Sequence, residues 1–84
     1  MRYTVLCNAV AEESLAAAFL AAADRAALTS AARAIEEILR TAPSAFGESR
    51  GGELRVGFEP PLAVWFTVTE SDRTVVIVRF RFRA

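Results

Sequence analysis

Residues 54–83 read LRVGFEPPLAVWFTVTESDRTVVIVRFRFR, and this stretch decides the fold. β-Branched and aromatic residues fill it, and two turn signals, Glu59-Pro60-Pro61 and Glu70-Ser71-Asp72-Arg73, cut it into three. Between the turns the residues alternate with period two, as strands do when one face lies on a core. Leu54, Val56 and Phe58 alternate with Arg55 and Gly57. Leu62, Val64, Phe66 and Val68 alternate with Ala63, Trp65, Thr67 and Thr69, and Val76, Val78, Phe80 and Phe82 with Val75, Ile77, Arg79, Arg81 and Arg83. The pattern predicts a three-stranded antiparallel meander. With Leu54, Val56, Phe58, Val64, Phe66, Val76, Val78 and Phe80 turned to the core, the opposite face carries Arg55, Trp65, Thr67, Arg79, Arg81 and Arg83.

Upstream lies a loop, Thr41 to Gly52 (TAPSAFGESRGG), which Pro43 separates from a helical stretch. Leu28, Ala31, Ala32, Ile35, Ile38 and Leu39 predict the buried stripe of a helix ending near Arg40. Leu15, Ala18, Phe19 and Ala22 predict another between about Ala11 and Ala23, with Glu12 and Glu13 in the first turn where the helix dipole favours acids. Asp24, Thr29 or Ser30 can cap the second helix, giving an αα-hairpin; one kinked helix is the alternative. RYTVLC (residues 2–7) is a short strand, and Asn8 or a neighbour caps the helix after it. The expected product is one α+β domain over residues 1–84, a two-layer β-α-α-β-β-β arrangement with the hairpin packed on the sheet.

Composition narrows the chemistry. Ten basic residues balance ten acidic ones, every basic residue is Arg, and there is no Lys or His. Ser-His-Asp and Cys-His systems, HExxH zinc helices, Schiff bases and Walker A loops are therefore excluded. A single cysteine, Cys7, rules out an intrachain disulfide and any multi-Cys metal site, and no metal or cofactor is expected. The longest apolar run, Leu15 to Ala23, is about half a membrane span, so the expectation is a cytoplasmic protein without membrane contact.

One local feature stands out against the neutral total. Residues 73–84 hold four Arg and no acid, and Arg50 sits in the loop that leads to the same sheet. Guanidinium groups beside an exposed Trp suit phosphates, stacked bases or an acidic peptide, which makes Arg50, Trp65 and Arg83 binding candidates with Arg55, Arg79 and Arg81. The other reading is a solvated sheet face in a Lys-free chain, where alternating Arg also discourages edge aggregation.

The order of elements and several strings resemble the RelE/ParE superfamily of type II toxin–antitoxin toxins, also called plasmid stabilisation proteins. The resemblance spans nearly the whole chain: RYTVLC, AEESLAAAFLAAADRAALTSAARAIEEIL, Leu39-Arg40-Thr41-Ala42-Pro43, FGESRGGELRV, PLAVWFTV and SDRTVVIVRFRFR. It implies a toxin neutralised through protein–protein interaction by a cognate antitoxin that wraps it with a helix or strand. The RelE-like branch cleaves mRNA on the ribosome with basic side chains on the sheet and a Tyr near the C-terminus; the ParE-like branch poisons DNA gyrase. Carried over by position, Arg55 and Arg79 or Arg81 are the catalytic candidates, since Arg can neutralise phosphorane charge without proton transfer. Ala63 stands where the nuclease branch has a central-strand Arg, and no Tyr comes after the last strand, so the catalytic set is incomplete. The resemblance leaves three expectations: a toxin acting on translation or gyrase through its Arg-lined sheet, a ribosome-dependent mRNA endoribonuclease, or a non-toxic interaction module. A homodimer through the sheet edge or the helical hairpin belongs to the third.

Overall fold

Asn8 sets the boundary between the first strand and the first helix. Its side chain accepts a hydrogen bond from the Ala11 amide at 2.8 Å, satisfying one of the N–H groups that a helix start leaves free. In the computed structural model, which describes residues 2–83, strand β1 (Thr4–Cys7) runs there directly into helix α1 (Ala9–Ala21). Asp24 repeats the device: its carboxylate accepts from the Ala27 amide at 3.0 Å and opens helix α2 (Arg25–Thr41). Ala22 and Asp24 are both extended, so the helices form a hairpin and not one kinked rod.

A 3-10 turn (Pro43–Ala45) stops α2, and the loop beyond it contains a two-residue strand, β2 (Glu48–Ser49). The meander is formed by β3 (Leu54–Glu59), β4 (Leu62–Thr69) and β5 (Thr74–Phe82), joined by turns where the sequence places them. The strand order is β1-β5-β4-β3-β2, with β1 parallel to β5 and the other pairs antiparallel. The two-layer α+β architecture is as expected, but the sheet is mixed. The hairpin carries the chain to the far edge, and three meander strands bring it back beside β1 in the same direction. The core lies between the layers, where Leu28, Ile35 and Leu39 of α2 and Ala11 and Ala18 of α1 meet Leu62, Val64, Phe66, Val75, Ile77 and Phe80.

Two strands depart from the expected phase. In the first half of β5 the buried residues are Val75 and Ile77, not Val76 and Val78. Trp65 opposes Arg79 while Phe66 opposes Ile77, so Val78 has no partner: a β-bulge flips the alternation in mid-strand. On β3 the phase is inverted throughout. Arg55 and Gly57 lie opposite Phe66 and Val64 on the helix side, whereas Leu54, Val56 and Phe58 face away from the helices. The reason is Phe46, whose ring stacks on Phe66 (centroids 5.9 Å apart, 17° between planes) and covers this end of the sheet. A Cβ at Gly57 would run into that ring. Arg55 holds the arrangement by donating from Nε to the Phe46 carbonyl at 3.1 Å and from Nη2 to the Gly47 carbonyl at 2.9 Å.

β1 ends opposite Ile77, so the second half of β5 has no strand on that side. Helix α1 covers it instead, and Ser14 makes the junction: its hydroxyl donates to the Ala11 carbonyl at 2.9 Å and accepts from the Phe80 amide at 2.9 Å. Ser14→Ala leaves that edge amide without its partner, and urea denaturation is expected to show a loss of about 1–3 kcal/mol.

At the other end, Glu70 in the β4–β5 turn accepts from Tyr3 at 2.7 Å and from Ser44 at 2.6 Å, while the Arg73 guanidinium lies 5.2 Å from the Tyr3 ring centroid. The network ties the start of β1 to two turns. The Ser44 and then the Tyr3 hydrogen bonds hold the Glu70 carboxyl below the ordinary carboxylate value, and the bond to Glu70 raises Tyr3. A depressed carboxylate contributes stability above its unfolded-state value and loses it as pH falls through the folded value. Tyr3→Phe is accordingly expected to be less stable than the parent at neutral pH, with the gap narrowing below about pH 4 in urea melts.

Candidate functional site

The sheet face turned away from the helices is built by β3, β4 and β5. Cross-strand partners share a face. One row runs Val56, Trp65, Arg79 and the next runs Phe58, Ala63, Arg81. The Arg79 guanidinium sits 4.2 Å from the Trp65 ring centroid, a cation–π stack that fixes both side chains as one platform. Arg83 continues the alternation just past β5, where its amide donates to the Pro61 carbonyl at 2.8 Å. Among the described residues, Arg79, Arg81 and Arg83 make no ion pair.

Val56 and Ala63 are each only 1% exposed although no helix covers this face. The longer side chains flanking them, Trp65, Phe58, Arg79 and Arg81, shield them, while Phe58, Arg79 and Arg81 themselves stay exposed. The floor is apolar and the rim cationic, so the surface can stack a planar group and neutralise an anion beside it. Arg cannot release its proton in a protein, so the face offers charge and hydrogen bonds but no acid–base chemistry.

The sequence candidates divide accordingly. Trp65, Arg79 and Arg81 come together as expected, with Arg83 at their end. Arg55 does not join them: it lies on the opposite face with its guanidinium spent on two loop carbonyls, because β3 runs in the inverted phase. Arg50 lies at the far edge beyond β2, where its guanidinium is 3.2 Å from the Glu48 carboxylate. Arg73 adopts a left-handed backbone (φ 50°) in the β4–β5 turn and packs over Tyr3, away from the platform. Val56 and Phe58, whose alternation predicts core residues, form part of the open face. Gly57 is the signal that points to this, since an interior strand glycine marks a close approach of another group.

Burial, and after it the charges of Glu12 and Glu36, pushes the Cys7 thiol up, which opposes thiolate chemistry. Among the described residues no group of three His, Cys, Asp or Glu side chains is placed to hold a metal ion. Among the described residues no helix is long and apolar enough to cross a membrane.

No family model and no curated protein matches the sequence. The fold does have solved counterparts. A chain of the toxin–antitoxin complex RelBE2 from Mycobacterium tuberculosis superposes with a TM-score of 0.76 at 20% identity, over 100% of this chain and 94% of that one. A chain of the chromosomal ParDE toxin–antitoxin system from P. aeruginosa superposes with a TM-score of 0.66 at 17% identity, over 98% and 97%. At such identities the likeness is one of fold, two helices on a five-stranded mixed sheet in the α+β RelE/ParE-like arrangement.

Proposed function

We propose that this chain is the toxin member of a type II toxin–antitoxin pair, acting by binding through the Trp65–Arg79–Arg81 face and held inactive by a cognate antitoxin. The observation that carries the reading is the Arg79–Trp65 stack beside Arg81 on a face free of ion pairs among the described residues. Stacked aromatic and guanidinium planes recognise phosphates, bases or carboxylate-rich protein surfaces. That chemistry suits a target in the translation or gyrase machinery of the cytoplasm. The two solved structures described above belong to toxin–antitoxin systems, which supports a protein partner for this chain.

We favour binding over mRNA cleavage. Of the nuclease candidates, Arg55 is bound to the Phe46 and Gly47 carbonyls, and the one tyrosine, Tyr3, is hydrogen-bonded to Glu70 at the other end of the molecule. Arg79 and Arg81 remain, and a guanidinium supplies charge and hydrogen-bond donors, not a general base.

Inducible expression in a bacterial host is expected to arrest growth, and Arg79→Ala with Arg81→Ala to relieve the arrest at equal protein level. Normal growth under strong expression of the parent sinks the toxin reading. New cuts in ribosome-bound mRNA, read by primer extension and lost in the same double variant, return the nuclease reading.

A further inference from the structure

Helix α1 has no polar face. Its only polar residues are Glu12, Glu13 and Ser14, and Ser14 is committed to β5. An isolated surface helix has one hydrophilic side, whereas a helix that is apolar all round has a partner on each side. Here the sheet takes one side, and the other leaves Leu20 81% exposed and Val10 55% exposed.

The outer residues have an order that singles out one partner. Val10, Glu13, Ala17 and Leu20 form an exposed stripe with spacings of three, four and three, which reads the same in both directions. Two such stripes laid antiparallel set Val10 against Leu20 at each end and Glu13 against Ala17 between them. Ala17 borders the groove between α1 and the β5 edge, and Arg81 lines the same groove. The Glu13 carboxylate of one copy thus arrives where the other copy holds Arg81. Neither Glu13 nor Arg81 has an ion-pair partner among the described residues. Ala17, a small residue, lets the two helix backbones approach closely.

We propose that the outer face of α1 is a homodimer interface, with two copies packing α1 antiparallel about a two-fold axis. Such an interface is isologous: each contact occurs twice, so one Val10–Leu20 and one Glu13–Arg81 complementarity become two of each. The match of acid to cation sets the antiparallel direction, because a parallel pairing would place Glu13 beside Glu13. The proposal stands apart from toxicity, since it concerns association of this chain with itself.

Light scattering on a sizing column, over roughly 1 to 500 µM protein, is the test. The parent is expected to rise from the 9.1 kDa monomer towards twice that mass. Leu20→Glu should remain monomeric with unchanged far-ultraviolet circular dichroism, since Leu20 lies outside the core. Glu13→Arg should weaken association at least about tenfold, and Glu13→Arg combined with Arg81→Glu should restore it, because the pair is rebuilt with its signs exchanged. A parent that stays monomeric throughout, a dimer indifferent to Leu20→Glu, or a double reversal that fails to re-associate each overturns the proposal.

Discussion

The β-bulge at Val78 is the constraint on which both faces of the sheet depend, because β5 carries two apolar patterns that are out of phase within nine residues. Val75 and Ile77 belong to one pattern, Phe80 and Phe82 to the other. A strand of strict period two satisfies only one of them. Continued from Val75 and Ile77, it drives Arg79 and Arg81 under the helices, where an unpaired guanidinium costs several kcal/mol. Continued backwards from Phe82 and Phe80, it turns Ile77 and Val75 to the open face and puts Val78 and Val76 into the core in their place. One extra residue removes the conflict, and the Arg side chains emerge on the open face as a consequence. Beyond the reach of β1, the Phe80 amide is taken by Ser14 of α1, so helix and sheet are locked at the same place.

This explains why some of the molecule could be read from residues alone and some could not. The α2 stripe, the three meander strands and the Asn8 cap rest on local signals, and local signals survive folding: Leu28, Ile35 and Leu39 are all buried. The run Val75-Val76-Ile77-Val78 is apolar in both phases and so holds no information about which phase is inward. On β3 the Leu54, Val56, Phe58 alternation points to the wrong face, because the cover on the helix side is Phe46, a residue of the preceding loop. The parallel placement of β1 depends on where a helical hairpin returns the chain, which no spacing within RYTVLC encodes. Of the site, Trp65 and Arg79 were legible as neighbours on one face; that they stack could not be read without the bulge-shifted register.

The all-Arg composition has a second effect: the same side chain performs unrelated tasks. Arg55 ties a loop to a strand, Arg73 packs on Tyr3, Arg40 pairs with Glu36 along α2, and Arg79 stacks on Trp65. A planar cation with its fixed fork of donors suits all of these, so a count of Arg in the sequence overstates the cationic surface open to a partner. Among the described residues, the Arg side chains without an ion pair on the open face are Arg79, Arg81 and Arg83.

Exposed apolar side chains are common in a domain this small, where roughly a third of the unfolded surface stays uncovered, and a lone exposed leucine carries no message. The stripe on α1 differs because its apolar ends and its charge form a reversible order. Arg81 then acquires a double position, since it lies opposite Ala63 on the open sheet face and also lines the groove beside Ala17. One guanidinium cannot be given fully to a Glu13 carboxylate and to an anionic target at once. The proposed self-association through α1 and the proposed target binding through the sheet would therefore be coupled with negative sign, and by linkage each would weaken the other by the same factor.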